Sequence, residues 1–194
     1  MNLLGGLPVD VTLDDSQVIL KYLLLLLYVY CIPGVIVFSA VRDQTYFWQV
    51  RSGFCSWCRR IYRKAVISSV ILTGMLTVFY YVFDPSFNTV VCGGVLLLNV
   101  IVMNMLQSFI MLYTRKGSAG FTGIMTVSLL SLFCSAPLPG NWKIILFGNC
   151  GCFNRCSMIA EDGYEISTAI VAEAVMVFIL YAWSYKLVKR KMNS

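Results

Sequence analysis

Residues 18–64 read VILKYLLLLLYVYCIPGVIVFSAVRDQTYFWQVRSGFCSWCRRIYRK, an apolar run followed at once by a basic and aromatic segment. The run from 18 to 41 is long enough to cross a bilayer, since a spanning helix needs about 20 mostly apolar residues. Four more apolar stretches follow, at 65–83, 89–113, 120–137 and 164–185. We therefore predict an all-α polytopic membrane protein, with about five transmembrane helices in one domain over residues 1–194.

The composition agrees with this fold class and argues against an enzyme. The chain is 59% hydrophobic and 12% charged, whereas about a quarter of the residues of a soluble domain are charged. It contains no histidine, the commonest general acid or base. Phosphate-binding loops, nucleophile elbows and HExxH pairs are also missing from the sequence. We expect neither catalysis nor a cofactor in this chain.

The basic residues predict how the chain is oriented. All but three of the 15 Lys and Arg residues lie in the segments 42–64, 114–120 and 186–194. Lys and Arg accumulate on the cytoplasmic side of spanning helices, so these segments are expected inside. The N-terminus is then outside, the C-terminus is cytoplasmic, and residues 138–163 form an outer loop. The net charge of +6 is explained by orientation, and we expect no nucleic-acid partner.

The segment between the first two apolar stretches has helical periodicity. Its apolar residues recur at intervals of three and four and share one side of a predicted helix over 46–62, namely Phe47, Val50, Phe54, Trp57 and Ile61. Arginines lie off that stripe. Such a helix is either an interfacial anchor, with its arginines on lipid phosphates, or a coupling helix that docks into a cytoplasmic partner. Periodicity alone favours the anchor.

Two sequence features resemble a known family. Residues 47–53, FWQVRSG, precede Trp57-Cys58-Arg59-Arg60 and a pair of apolar stretches, and Pro139-Gly140-Asn141-Trp142 precedes the last stretch. This arrangement is similar to small ABC-2-type exporter permeases of the bacteriocin and lantibiotic class. Members of that family usually have six spanning helices and an N-terminus inside, so this chain corresponds to a member that begins at the second helix.

The resemblance implies a function and partners. It implies a permease subunit in the bacterial cytoplasmic membrane that exports a peptide or another amphiphile, next to membrane lipid. Separate ABC ATPase subunits would bind ATP and Mg²⁺, and a second permease subunit would complete the assembly. The residues expected to couple to the ATPase are Arg51, Phe54, Trp57, Arg59 and Arg60. The alternative is a membrane interaction protein that does not transport, such as an immunity protein or a scaffold.

Polar residues inside the apolar stretches are the candidates for a substrate path. Glu173 lies near the middle of the last stretch, and Asn104 and Gln107 lie in the third. Ionisable groups at membrane depth usually face the bundle interior or a cavity. Glu173 could line a path or bond to another helix, and these alternatives are equally supported. For Asn99, Asn104 and Gln107, we favour hydrogen bonds between helices over contacts with a substrate.

Two further features carry local expectations. Pro33-Gly34 should kink the first helix and leave a backbone carbonyl that a neighbouring helix must satisfy. The loop 138–163 is amphiphilic and is expected to form a short re-entrant or interfacial element that caps the outer mouth. The eight cysteines include Cys55 and Cys58 in a lone CxxC, which is too few ligands for zinc. Cys150, Cys152 and Cys156 lie in the predicted outer loop, where an oxidising medium could pair two of them and an anaerobic one would leave all three free. Their odd number argues against a complete disulfide framework.

Overall fold

The computed structural model describes residues 3–6, 16–51, 54–114, 116–134 and 138–192. Five α-helices account for most of them: α1 Ser16–Arg51, α2 Phe54–Phe83, α3 Phe87–Thr114, α4 Gly117–Cys134 and α5 Ile166–Met192. Each contains a stretch of at least 18 residues that is apolar enough to cross a membrane. No β-strand occurs in these ranges. The prediction of an all-α polytopic membrane protein is confirmed.

The helix boundaries differ from the sequence prediction at the start of α2. Residues 46–62 do not form one separate helix, because α1 continues to Arg51 and α2 begins at Phe54. Residues 52–53 lie outside the described part of the chain. Extending an existing helix costs little compared with nucleating a new one, so each half of the predicted segment continues the spanning helix beside it. At the other end of the chain, α5 begins at Ile166 and not at residue 164.

Short connections place consecutive helices α1 to α4 antiparallel. The start of α2 packs against α5 late in that helix, where the Tyr62 and Ser184 hydroxyls are hydrogen-bonded. Helix α3 is central, since 56% of its spanning window is buried, against 17% for both α2 and α5. Those two helices therefore turn broad apolar faces outward, which is typical of a membrane-embedded protein.

The two ends of the bundle differ in charge. One end, which we call the basic end, gathers the exposed cations at the start of α2, in the α3–α4 turn and late in α5; these are Arg59, Arg60, Arg63, Lys64, Lys116 and Lys186. At the opposite end lie the α2–α3 turn, the short 3-10 helix Leu3–Gly5 and the segment that joins α4 to α5. The basic segments of the sequence are thus brought together where the structure describes them.

The carbonyl that Pro33 leaves free in α1 is satisfied from α3, as expected. Pro33 lies inside α1 and has no N–H to bond the carbonyl of Val29, four residues earlier. The Asn104 side chain supplies the missing donor, with its Nδ2 3.3 Å from the Val29 carbonyl oxygen. The same Nδ2 also donates to the Ser69 hydroxyl of α2 at 2.8 Å. Asn104 therefore joins three helices beside Pro33.

Candidate functional site

The segment 138–165, which we call the cap, is folded into the end of the bundle. It contains three short 3-10 helices, Gly140–Ile145, Phe147–Asn149 and Phe153–Arg155. Its buried apolar side chains join the main hydrophobic core, as Ile144, Cys150, Cys152, Phe153, Cys156 and Tyr164. The loop is therefore packed against the helices at this end of the bundle.

Arg155 fastens the cap to the end of α4. Its side chain is 4% exposed. One guanidinium nitrogen donates to Asn149 Oδ1 at 2.8 Å and to the Ser131 carbonyl at 3.3 Å, and the other donates to the Leu132 carbonyl at 3.4 Å. Carbonyls in the last turn of a helix have no intrahelical partner and carry partial negative charge. A buried cation is well placed there, because it satisfies both the hydrogen bonds and the helix dipole.

Backbone contacts within the cap are also made by buried polar side chains. Lys143, which is 2% exposed, donates from Nζ to the Asp162 carbonyl at 2.7 Å. The Asn149 amide donates to the Lys143 carbonyl at 3.0 Å. The Tyr164 hydroxyl donates to the carbonyls of Cys150 and Cys152, at 3.2 and 2.9 Å. Such short helices leave many carbonyls without helical partners, and these side chains satisfy them.

Beneath the cap, Asn99 connects it to the only carboxylate in the middle of a spanning helix. The two amide protons of Asn99 go to different acceptors: Nδ2 lies 2.9 Å from Glu173 Oε1 and 2.7 Å from the Phe147 carbonyl oxygen of the cap. The Tyr30 hydroxyl donates to Asn99 Oδ1 at 3.4 Å. Helices α1, α3 and α5 and the cap thus meet at one polar network. Glu173 is 2% exposed, so its carboxyl group faces the bundle interior.

The three predicted path residues have different surroundings. Glu173 lies with Asn99 under the cap, whereas Asn104 bonds the Val29 carbonyl that Pro33 leaves free in α1. Gln107 is farther toward the basic end, against Gly34 of α1, and it lines a groove between α1, α3 and α4. Asn99 and Asn104 donate hydrogen bonds to other helices. The buried Oε1 of Gln107 and Oδ1 of Asn104 have no hydrogen-bond partner among the described residues.

The predicted coupling residues divide between the core and the surface. Trp57 is buried and belongs to one apolar cluster with Ile61, Val37 and Met111, which come from α2, α1 and α3. Arg59 and Arg60 are exposed. The backbone of Arg51 ends α1 and that of Phe54 begins α2, but their side chains lie outside the described part of the structure. The amphipathic stripe is therefore real where it is described, and it packs on neighbouring helices.

Five of the described cysteines are buried packing residues, whereas Cys31 is half-buried and Cys134 is exposed. Cys58 is buried in the cluster around Trp57. Cys150, Cys152 and Cys156 are free and buried in the cap, and burial raises the pKa of the Cys150 thiol well above its usual range. The described residues contain no group of three His, Cys, Asp or Glu side chains that could hold a metal ion.

Sequence reasoning missed the two buried cations of the cap. The sequence does carry a signal for their role, because Lys143 and Arg155 lie outside the three basic segments and follow the fourth apolar stretch. A cation that does not serve orientation needs another partner, and here the partners are backbone carbonyls. Only the fold shows which carbonyls these are.

Comparison of the chain with protein-family models, with curated proteins and with solved structures finds no match.

Proposed function

We propose that this chain is the membrane-spanning subunit of an ATP-driven exporter whose hydrolytic subunits are separate proteins that dock at the basic end. The observation that supports it best is the start of α2, where two opposite faces have opposite chemistry. Trp57 and Ile61 are buried against other helices, while Arg59 and Arg60 are exposed on the surface. The cargo of such an exporter would be a peptide or another amphiphile.

The packing of Trp57 makes this surface suitable for transmitting force. Its cluster includes residues of α1, α2 and α3, so a partner that pushes on the adjacent arginines would act on three helices together. Interiors are close-packed and transmit displacement with little give. An arginine pair is also suited to an acidic partner surface, because guanidinium groups bind carboxylates in a bidentate manner.

The proposed transport path would run between subunits. Within the described residues, Glu173 is enclosed by its hydrogen bonds and by the cap. The outward faces of α2 and α5, in contrast, are broad and apolar, with exposed residues that include Met75, Val78, Phe79, Val175 and Phe178. A second permease subunit that packs on these faces would form a path for an apolar or amphiphilic cargo.

The enclosure of Glu173 also favours a second candidate, a membrane interaction protein that does not transport. In that case the carboxyl group would serve only to hold Asn99 and the cap. Glu173→Gln keeps a hydrogen-bonding group of similar size, whereas Glu173→Leu removes it. A purely structural role predicts that cells with the Glu173→Gln variant, at equal protein abundance, show unchanged export and unchanged protection of the host cell. A titrating role predicts that Glu173→Gln abolishes export.

The docking proposal is tested by reversing the two charges. Arg59→Glu with Arg60→Glu should leave insertion intact, because Arg63 and Lys64 keep this end basic. Each lost charge-assisted contact is worth about 1.5–3 kcal/mol, so the loss of two should weaken ATPase binding by at least about a hundredfold. Recovery of the ATPase with the protein from native membranes measures this, alongside substrate-stimulated hydrolysis. Glu161→Gln with Asp162→Asn, two exposed acidic residues of the cap at the opposite end, is the matched control. Equal recovery from the arginine variant and this control would count against the proposal.

A further inference from the structure

A groove between α1, α3 and α4 opens near the basic end and has a volume of 470 Å³. This lies within the range of small-molecule sites, about 300–1,000 Å³. Its wall is apolar, formed by Val35 and Phe38 of α1, Met111 of α3 and Phe121 of α4. An occupant would therefore bury hydrocarbon along most of its length.

Two polar features lie on this wall. The first is Gln107, whose side chain is 2% exposed and whose Oε1 has no hydrogen-bond partner in the described chain. A buried acceptor left unsatisfied is costly, and a plain hydrocarbon occupant would leave it so. An occupant with a donor at the depth of Gln107, such as a hydroxyl or an amide N–H, would satisfy this acceptor.

The second polar feature is an anion-binding environment at the rim. Lys116 and Ser118 line the groove where α4 begins at Gly117. The first N–H groups of a helix have no intrahelical partner and carry partial positive charge, so they attract anions. α4 is 18 residues long, which gives it a full helix dipole. An exposed ammonium beside these N–H groups selects for a negatively charged head group.

The two features are close enough to contact one molecule. A Cβ atom built on Gly34 would meet the Gln107 amide, and one built on Gly117 would meet the Phe38 ring. Gln107 is therefore level with Gly34, and the start of α4 is level with Phe38. Four residues along α1 separate these levels by about 6 Å at 1.5 Å per residue. This is the separation between an anionic head group and the linker next to it.

We propose that this groove binds a single-chain anionic amphiphile. Its head group lies between Lys116 and the first turn of α4, a hydroxyl or amide N–H of its linker donates to Gln107, and its acyl tail follows the apolar wall. Phospholipids with two chains lack a free donor at the linker and are disfavoured. The inference is independent of the proposed export function, because it requires no ATPase and no movement of cargo.

Photo-cross-linking tests the proposal. The protein is placed in phosphatidylcholine nanodiscs with a small fraction of lysophosphatidylglycerol that carries a diazirine in its acyl chain. We expect cross-links on the walls at residues 31–38 and 117–121 and competition by unlabelled lysophosphatidylglycerol. Lysophosphatidylcholine, with the same tail and no net charge, should compete at least about tenfold less well. Cross-links spread evenly over the outer face of α2, or equal competition by both lysolipids, would overturn the proposal. Full competition by inorganic phosphate would show a site for free anions and would overturn it too.

Variants separate the three parts of the site. Lys116→Glu should weaken binding at least about tenfold and Gln107→Leu about fivefold, while Lys186→Glu, a cation outside the groove, should change it less than about twofold. Val35→Trp should block the groove, and it leaves the core untouched because Val35 is 68% exposed. Equal affinities for Lys116→Glu and Lys186→Glu, or unchanged binding with Val35→Trp, would refute the assigned position.

Discussion

Replacing Arg155 by Met should open the cap without unfolding the bundle. Methionine retains the apolar stem of arginine and removes the guanidinium group. The contact with Asn149 Oδ1 at 2.8 Å is the short one, whereas those with the Ser131 and Leu132 carbonyls are longer, at 3.3 and 3.4 Å. The two longer bonds are weak, so the short bond supplies most of the free energy that the variant loses. It is worth about 1.5–3 kcal/mol, because the donor is charged.

A loss of about 1.5–3 kcal/mol would raise the open fraction of the cap by about 10- to 150-fold. Thiol labelling measures this opening, because Cys150 and Cys152 are buried in the cap while Cys134, at the end of α4, is exposed. We expect Arg155→Met to accelerate labelling of the two cap cysteines by that factor and to leave Cys134 unchanged. Peptide mapping after a timed maleimide pulse in nanodiscs gives the three rates in one sample. Cap rates within twofold of the parent protein would refute this reasoning and would mean that apolar packing alone holds the cap.

Three further predictions concern single positions. Burial raises the pKa of the folded Cys150 thiol, so the contribution of this thiol to stability is complete below about pH 8.5, where an unfolded thiol titrates, and is lost as the pH rises above that value. Cys150→Ser should therefore reduce the fall in melting temperature between about pH 8 and about pH 10. An identical fall in both proteins would contradict this. Gly6 has φ +80°, and a Cβ there would lie 2.6 Å from Cys152 Sγ. Gly6→Ala should therefore reduce the free energy of unfolding by at least about 1–2 kcal/mol and speed the labelling of Cys152. An unchanged labelling rate would mean that residues 3–6 do not support the cap. Asn104→Leu should lower the melting temperature in nanodiscs more in the parent than in a Pro33→Ala background, where the Val29 carbonyl regains its helical donor. Equal losses would show that the amide does not serve this carbonyl.

The five helices were predictable because membrane spanning is decided by a property that the sequence carries locally. An apolar stretch of about 20 residues has few alternatives to a spanning helix, and each of the five stretches contains such a helix in the structure. The start of α2 was predicted less well for a physical reason. Periodicity identifies the apolar face of a helix but not what covers it, and lipid and neighbouring helices are equally suitable. Trp57 was expected on a separate segment and instead lies in the core of α1, α2 and α3.

The polar network was only half predictable. That Glu173 faces the interior follows from the cost of exposing a carboxyl group to hydrocarbon. Its partner does not follow, because Asn99 is 74 positions away in the chain and only the fold brings them together. Two other contacts also leave no pattern in the spacing of residues along the sequence. They are the hydrogen bond from Asn99 to the Phe147 carbonyl and the contact between Arg155 and the end of α4. Both depend on the path of an irregular loop, whose conformation is fixed by tertiary contacts.

The two ends of the bundle differ in a way that limits how the protein can move. At the cap end, Asn99 commits one amide proton to Glu173 of α5 and the other to the Phe147 carbonyl of the cap, so a shift of α5 against α3 would break a buried bond. At the basic end α1, α2 and α3 meet in an apolar cluster beside an open groove. The Tyr62 and Ser184 hydroxyls join α2 to α5 there, so α2 and α5 are expected to move together while α1 and α3 have fewer directional bonds to break. Any movement caused by a partner is therefore expected to begin at the arginines of α2 and to pivot about the network at Asn99.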